Sequence, residues 1–219
     1  DGFSNLGEED GKQPAGGAQV SPFTIDYPPG ATPLDPKEAE GLIPDYITTQ
    51  GELNTLEREN ITEATNWAES RQHSDILTAT FTLDVHRRML NRVWKWAGKL
   101  RRSNKNIGVM KENISTELAN LLADTKYWIE NEIYGWDEIG ARFHHRLVSI
   151  HVFVNGNGRH ARIMTNILLS SNRQDPFSWG MRTHTGALEV GGALRDEYIS
   201  ALKRADRGDY DALVRFVRS

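Results

Sequence analysis

The sequence has no cysteine in its 219 residues. This absence excludes disulfide bonds, thiol catalysis and thiolate zinc sites, and it is compatible with the reducing cytoplasm, which is the predicted location. A long apolar run is also missing, so no transmembrane helix is expected. The N-terminus lacks the basic and apolar stretches of a signal peptide. The pattern G-x-x-x-x-G-K-[S/T] is absent, which excludes a P-loop enzyme.

The composition is that of a soluble globular domain. Apolar residues make up 38% of the chain and charged residues 26%, and the formal net charge is −4. A negative net charge argues against a protein that mainly coats nucleic acid. Six basic residues nevertheless lie in one stretch, which we interpret as a solvated rim of the site described below: Lys95, Lys99, Arg101, Arg102, Lys105 and Lys111.

Two regions are distinguished along the chain. Residues 1–45 are rich in Gly, Pro and acidic residues, which predicts a flexible or extended N-terminal arm. Residues 46–219 form the predicted domain, which is mainly α-helical. Its first helix, at about 50–70, begins with a capping box in which Thr49 and Glu52 satisfy each other's backbone N–H groups. The apolar stripe of this helix consists of Leu53, Leu56, Asn60, Ala64 and Trp67.

Helical periodicity continues along the rest of the domain. The predicted ranges are 82–97, 113–130, 136–150, 157–171 and 193–205, with a short last helix after Asp209. The segment Lys99–Val109 lies between the second and third helices and contains turn residues. A short β-hairpin is therefore expected there, as the only β element of a mainly α fold.

One segment combines the features of an anion-binding loop. From His151 it reads His-Val-Phe-Val-Asn-Gly-Asn-Gly-Arg-His-Ala-Arg, with Gly156 and Gly158 where a helix is predicted to begin. Glycine permits positive φ and close approach to a ligand, and a helix N-terminus presents N–H groups and partial positive charge. Arg159 and Arg162 project from one face and oppose the helix dipole, an unfavourable arrangement that a bound phosphate reverses.

His151 directly precedes this loop. An imidazole of ordinary pKa can act as a base near neutral pH, so His151 could deprotonate a hydroxyl that attacks a phosphorus atom held in the loop. Phe153 is the expected apolar anchor of the loop. His144 and His145 are not expected to share a metal with His151, because adjacent histidines face different directions on a helix and no HExxH spacing is present.

The segment resembles the signature of the Fic family, H-x-F-x-[D/E]-G-N-G-R-x-x-R. The match covers His151, Phe153, Gly156, Asn157, Gly158, Arg159 and Arg162. The resemblance extends from about Pro28 to the C-terminus, and it looks closest to the branch called mobile mystery protein B. It implies a mainly helical Fic-type fold with a short β-hairpin flap. It also implies an enzyme that transfers AMP from ATP to a Ser, Thr or Tyr hydroxyl of a target protein.

The resemblance further implies roles for individual residues. His151 would be the general base, and the backbone of Gly156–Gly158 would hold the α- and β-phosphates. Arg159 would contact the β- or γ-phosphate, and Arg162 the γ-phosphate. The flap would bind a target segment by strand pairing, and its turn would be formed by Asn106, Ile107 and Gly108.

Position 155 departs from the family pattern. Asn155 stands where the family has an Asp or Glu that holds Mg²⁺, and an amide oxygen is a poorer ligand for a hard cation than a carboxylate. Asn155 could still bind Mg²⁺ through its carbonyl oxygen, or the metal could rely on phosphates and water. The reaction rate, and even the type of reaction, depends on this position.

The predicted first helix contains a second family pattern. Residues 55–60 match the inhibitory sequence [S/T]-x-x-x-E-[G/N], with Thr55, Glu59 and Asn60 at its defined positions. The resemblance implies that Glu59 pairs with Arg162 and so deprives the γ-phosphate of its partner. At about 4 Å and intermediate dielectric, such a pair carries roughly 4 kcal/mol of Coulomb energy before desolvation. A surface charge is the alternative interpretation of Glu59.

Three functions stay open at this stage. The favoured one is an autoinhibited adenylyltransferase that uses ATP and Mg²⁺. The second is removal of AMP from a modified hydroxyl by water in the same site, and the third is a nucleotide-binding regulatory module with little turnover because of Asn155. Tyr198 could stack on the adenine or belong to the core. The target protein, the nucleotide base and a homo-oligomeric state are left open by the sequence.

Overall fold

The computed structural model describes residues 34–70, 72–184, 188 and 192–219. Most of the predicted N-terminal arm, residues 1–33, lies outside the described residues. Helices dominate the described chain, which confirms the predicted mainly α fold, and none of them is long and apolar enough to cross a bilayer. The helices are α1 (Pro36–Ala39), α2 (Gln50–Glu69), α3 (Ala79–Leu90), α4 (Ile114–Glu130), α5 (Trp136–Ile150), α6 (Asn157–Ser171), α7 (Ala193–Ala205) and α8 (Asp211–Arg218). A single 3₁₀ turn, Lys111–Asn113, precedes α4.

Helix α2 begins with the predicted capping box. The Thr49 side chain accepts from the Glu52 N–H at 3.2 Å, and the Glu52 carboxylate accepts from the Thr49 N–H at 3.0 Å. The face that carries Leu53, Asn60 and Ala64 is buried against α3 and α6. The orientation of α2 about its own axis is therefore set by these three residues, and it decides which of its charged residues point inward.

Helix α3 ends earlier than predicted, at Leu90 rather than near 97. The following segment bonds with the arm instead: Ile43 N–H donates to Val93 O, and Lys95 N–H donates to Gly41 O, each at 2.8 Å. Helical residues could not offer Val93 O and Lys95 N–H to another segment, because a continuing helix would use them internally. These tertiary hydrogen bonds therefore end the helix where periodicity alone predicts continuation.

Helices α5 and α6 lie at the centre and have the predicted ends. They pack on each other and separate two buried apolar clusters. The larger cluster contains residues of α2 to α6, including Met89 and Phe143. The smaller cluster joins the other faces of α5 and α6 to α7 and α8. The loop that connects α5 to α6, residues 151–156, is thus held between two packed halves.

The prediction of a β-hairpin at Lys99–Val109 is wrong, since no strand forms there or elsewhere in the described chain. The two ends of this flap bond to the α5–α6 connection rather than to each other: Arg101 N–H donates to Val152 O at 3.0 Å, and Val109 N–H donates to Ile150 O at 3.3 Å. The Arg101 side chain fills the space between the two ends and donates to Ser103 O and Val109 O. Hydrogen bonds from the buried Arg101 guanidinium therefore connect the two ends of the flap, where a β-hairpin would have hydrogen bonds between two strands.

The interpretation of the basic stretch as a solvated rim is wrong for two of its members. Arg101 is 2% exposed, and the Lys105 side chain is 6% exposed. Lys105 forms an ion pair with Glu38 of α1, and Ser103 Oγ donates to Glu38 at 2.6 Å. The Glu38 carbonyl also accepts from the Trp96 indole at 3.1 Å. The described end of the arm is thus a docked helical turn that holds the flap.

Candidate active site

His151 ends helix α5 in a left-handed conformation, with φ 55° and ψ 62°. This conformation costs roughly 1–2 kcal/mol for a residue with a side chain, and neighbouring groups hold it. Arg101 Nε donates to His151 O at 2.6 Å. Gly108 of the flap lies against the first carbon of the His151 side chain, because a Cβ added at Gly108 would be 2.5 Å from His151 Cβ. The imidazole is consequently fixed at the start of the loop, beside the flap turn.

The environment of His151 keeps its ring neutral. Burial, assisted by the positive charges of Arg101 and Lys105, lowers the pKa of His151 from 6.5 to about 4. At pH 7 the imidazole therefore carries no charge and can accept a proton. Anionic phosphate groups placed nearby would raise this pKa, because they stabilise the imidazolium.

The loop is anchored by Phe153 and closed by Asn157. Phe153 is fully buried, as expected for the anchor. The Asn157 side chain accepts from Phe153 N–H and donates to Phe153 O, both at 2.9 Å. Asn157 therefore uses its amide group to hold the loop, and only its backbone N–H remains for a ligand.

Helix α6 starts at the predicted glycines, which differ in conformation. Gly156 is the N-cap residue and has φ 77°, so its position favours glycine. Gly158 lies within the first helical turn and does not have a positive φ. A Cβ added there would meet only Arg162 Nη1, at 4.0 Å. The first N–H groups of α6 have no intrahelical acceptor, and residues 156–158 line the cavity, as the predicted anion cradle requires.

Asn155 contributes two oxygen atoms, and both are engaged. Its Oδ1 accepts from the Gly156 N–H at 2.5 Å, and its backbone oxygen lies 3.0 Å from His86 Nε2. No cluster of three His, Asp or Glu residues suited to a metal occurs among the described residues. Among the residues that the structure describes, position 155 offers neutral oxygens and no group of carboxylates or histidines joins them, so these residues do not form a metal site of their own.

The two arginines line the same cavity as His151 and the cradle. Arg159 Nη1 lies 3.0 Å from Glu57 Oε2, in a pair whose side chains are 24% and 12% exposed. The second oxygen of Glu57 accepts from the Trp94 indole at 2.7 Å. A carboxylate of α2 therefore reaches Arg159, one of the two arginines predicted to bind phosphate, and its position is fixed by two partners.

The predicted pair between Glu59 and Arg162 is not formed. The Glu59 side chain is 61% exposed and lies 3.8 Å from Arg92 on the outside of α2. Two residues correspond to about 200° of helical rotation, so Glu57 faces inward when Glu59 faces outward. Thr55 shares the outer face, where its hydroxyl donates to Gly51 O at 2.9 Å.

Asn60, the last position of the inhibitory pattern, faces inward but does not reach the cavity. Its amide donates to Arg88 O at 2.8 Å and accepts from Arg92 N–H at 3.0 Å. These two partners are backbone groups at and just after the end of α3, where the helix no longer pairs them with each other. Asn60 therefore ties α2 to α3, which fixes the position of Glu57 one helical turn away.

The cavity has a volume of about 1750 Å³ and continues from the cradle to α7. Single ligand sites commonly enclose roughly 300–1,000 Å³, so the space exceeds what one nucleotide fills. Ile107 and Gly108 of the flap line it, whereas Asn106 is not among the lining residues. The flap turn and the cradle thus open onto one continuous space.

Tyr198 lines the far end of the cavity but is only 4% exposed. Its hydroxyl lies 2.8 Å from His144 Nε2, and its ring packs against Phe216 with centroids 5.7 Å apart. Most of the ring surface is thus used in the smaller apolar cluster. Stacking of adenine on Tyr198 stays a prediction.

Comparisons with known proteins agree on one family. A family model described as Fic/DOC family matches residues 76–169. Protein adenylyltransferase fic-1 of Caenorhabditis briggsae is 30% identical over 152 residues, 68% of this chain and 28% of the relative. Protein adenylyltransferase Fic of Drosophila grimshawi is 30% identical over 145 residues, 64% of this chain and 28% of the relative. The chain therefore spans little more than a quarter of these relatives.

Solved structures share the fold. BepC of Bartonella tribocorum with bound AMPPNP has a TM-score of 0.59 and 16% identity, over 83% of this chain and 95% of that one. The N-terminal Fic domain of a Bep effector of Bartonella quintana with bound ADP has a TM-score of 0.62 and 14% identity, over 80% and 86%. Fic-1 (residues 134–508) of C. elegans has a TM-score of 0.56 and 22% identity, over 82% and 50%.

Proposed function

We propose that this chain, whose residues 76–169 match the Fic/DOC family model, is a protein adenylyltransferase. It transfers AMP from ATP to a Ser, Thr or Tyr hydroxyl of a target protein. The names of the curated relatives and the nucleotides bound in two structural neighbours support this proposal. The observation that carries it is the placement of a neutral, buried His151 beside an anion cradle and two arginines that line one cavity.

His151 acts as the general base of the proposed reaction. The target hydroxyl oxygen forms a bond to the α-phosphorus, and the bond from that phosphorus to the α–β bridging oxygen breaks. Pyrophosphate leaves, and the hydroxyl proton passes to the neutral imidazole. The cradle and the arginines stabilise the charge that develops on the phosphates, and the cavity has room for a target segment beside the flap.

Mg²⁺ would be expected to enter this site with the nucleotide. Since the described residues include no metal cluster, the phosphates would have to supply most of its ligands, and Asn155 would supply at most one neutral oxygen. When bound, the ion would add positive charge to the triphosphate. A weaker dependence on Mg²⁺ is expected here than in Fic proteins with an acidic residue at this position.

Glu57 restrains the reaction in the resting protein. By pairing with Arg159, it occupies a cation that the β- or γ-phosphate needs, and its own charge repels the phosphates. This assignment replaces Glu59 in the autoinhibitory role that the sequence suggests. A nucleotide binds productively only after Glu57 has been displaced from Arg159.

Transfer of label from α-labelled ATP to proteins of a lysate tests the proposal. The Glu57→Gly variant, in which the restraint is removed, is expected to label protein, and a second His151→Ala substitution is expected to abolish labelling. His184→Ala is the matched control, because His184 is a surface residue that pairs with Glu197 away from the flap and cradle. Equal labelling with and without His151 would refute the proposed role of this base.

The same experiment separates the two alternatives. Release of free AMP from previously labelled protein, without labelling from ATP, would identify the removal reaction, with Glu57 as the carboxylate that orients water. Binding of ATP without either reaction, even after Glu57→Gly, would identify a regulatory nucleotide-binding module. The cytoplasmic location and a homo-oligomeric state stay predictions.

A further inference from the structure

A second histidine, His86, contacts the loop at Asn155 from its buried side, opposite the cavity. It lies on α3, is 0% exposed, and its Nε2 is 3.0 Å from the backbone oxygen of Asn155. On the other side of the ring, Nδ1 accepts from the Gly98 N–H at 2.9 Å. A backbone N–H can only donate, so Nδ1 must be unprotonated. The proton of the neutral ring is therefore on Nε2, which donates to Asn155 O.

The ring of His86 is held in place by its neighbours. It stacks on Phe153 with centroids 3.6 Å apart and an angle of 6° between the planes. His160 of α6 meets the edge of the same assembly, 5.7 Å from His86 and 4.8 Å from Phe153. His86, Phe153 and His160 thus join α3, the loop and α6 into one buried aromatic unit. The donor on His86 has little freedom to move away from Asn155.

The hydrogen bond to Asn155 fixes the orientation of one peptide plane. The Asn155 carbonyl and the Gly156 N–H belong to the same planar group, so holding the oxygen inward turns the N–H outward. In the absence of a nucleotide this N–H donates to Asn155 Oδ1 at 2.5 Å, an acceptor that a phosphate oxygen would replace. Gly156 adopts φ 77°, a conformation from which glycine can rotate at little cost. Rotation of this peptide would direct a carbonyl oxygen toward the phosphates and repel them. His86 on one side of the plane and Asn155 Oδ1 on the other therefore keep the peptide in its present orientation.

We propose that His86 is a positioning residue, which sets the orientation of the Asn155–Gly156 peptide so that the cradle presents N–H groups to the nucleotide phosphates. This inference rests on the proposed function, because the ligand of the cradle is taken to be ATP. His86 does not touch the reacting atoms and acts through the backbone of the loop. It differs in this respect from His151, which faces the flap and the cavity.

The charge state of His86 agrees with this role. Burial, followed by the nearby His160 and Arg159, lowers the pKa of His86 well below its usual value of 6.5. The Asn155 carbonyl acts in the opposite direction but does not outweigh burial. Protonation would place a second N–H against the Gly98 N–H, and would disrupt the arrangement that orients the loop.

Three variants, each made in the unrestrained Glu57→Gly background, test the inference by calorimetric titration with ATP and, separately, with adenosine. His86→Phe keeps a ring on Phe153 but removes both polar atoms, and we expect its affinity for ATP to fall about tenfold or more. Its affinity for adenosine, which has no phosphate, should change less than twofold. His86→Gln retains an N–H donor near the Nε2 position, so it should recover most of the affinity for ATP.

His160→Phe is the matched control. His160 belongs to the same aromatic unit, but its Nε2 contacts Thr82 O of α3 at 2.9 Å rather than the loop. It should lower the melting temperature and leave the affinity for ATP within twofold. Unchanged binding of ATP by His86→Phe, or equal losses for ATP and adenosine, would overturn the inference. A Glu57→Gly chain with His86 intact that does not bind ATP would instead refute the proposed function itself.

A measurement on the wild-type chain does not depend on whether His86→Phe folds. Nitrogen NMR of ¹⁵N-histidine-labelled protein, with His86 assigned through His86→Gln, should show the Nε2–H tautomer without titration between pH 5 and pH 7. Addition of ATP should shift this resonance. A ring protonated on Nδ1, or one that titrates in this range, would contradict the assignment of His86.

Discussion

Single residues determine which charges enter the site. Glu57 and Glu59 are separated by only two positions, yet the first is 12% exposed and paired with Arg159, whereas the second is 61% exposed on the outer face. The apolar stripe predicted from the sequence already indicates that Glu57 faces inward, because Leu53 and Glu57 are four residues apart and share a face. A short degenerate motif is thus a weaker guide than the periodicity of the helix that carries it.

Removing the inward carboxylate should release the resting protein. We expect Glu57→Gly to raise AMP transfer about tenfold or more, since Arg159 then becomes available and a negative charge leaves the phosphate site. Incorporation of label from α-labelled ATP at saturating Mg²⁺ measures the change. The matched substitution Glu59→Gly should leave the rate within twofold, and a larger activation by Glu59→Gly would show that the outer glutamate provides the restraint.

Besides Glu57, the residues whose proposed roles sequence reasoning missed are Arg101 and His86. Arg101 appears in the sequence as one of several basic residues, and nothing in its spacing indicates that backbone carbonyls surround it. His86 appears on an amphipathic helix as a polar residue four positions before Leu90. Their roles depend on partners about 50 or more residues away, His151 O for one and Asn155 O for the other.

At the level of helices, the sequence predicts the ends of a helix correctly where the flanking residues and the apolar stripe of that helix determine them. The ends of α5, α6 and α7 agree with the prediction, because glycines flank the connections and the apolar stripes are continuous. The end of α3 and the hairpin were mispredicted for the opposite reason. The backbone after Leu90 bonds with Gly41–Ile43, and the flap bonds with the α5–α6 connection, and these pairings cannot be inferred from local sequence.

Loss of the α2 capping box should weaken the restraint along with the helix. Thr49→Ala removes the acceptor for the Glu52 N–H and should lower the free energy of unfolding by about 1 kcal/mol. Because α2 carries Glu57, basal AMP transfer should rise by a small factor. Urea denaturation and the labelling assay measure the two effects. Thr62→Ala, on the exposed middle of the same helix, should be neutral or slightly stabilising.

The whole molecule is built around histidines that are kept neutral. Burial lowers the pKa of His144 to about 3 and that of His160 to about 4, and His86 and His151 are lowered as well. These rings lie in or between the two apolar clusters, where they supply hydrogen bonds without charge. Their folded-state pKa values all lie below the usual 6.5, so they couple folding to pH in the same direction.

Acid should therefore destabilise the fold before its carboxylates titrate. The unfolded chain binds protons at these histidines below about pH 6.5, whereas the folded chain resists to lower pH, about 4 at His151 and His160 and about 3 at His144. The contribution to stability is therefore complete above pH 6.5 and declines as the pH falls. Each histidine contributes a slope of roughly 1 kcal/mol per pH unit in this window. Melting temperatures between pH 7.5 and pH 4.5 measure the effect, and a constant melting temperature down to pH 5 would contradict it.

The Trp94 indole, which donates to Glu57 while its backbone bridges to Leu42, makes the restraint optically visible. When a nucleotide displaces the carboxylate, the indole N–H exchanges an anionic partner for water or phosphate, and its fluorescence emission changes. The resting and released states can then be followed in real time without any attached dye, by comparing the intrinsic emission with that of Trp94→Phe.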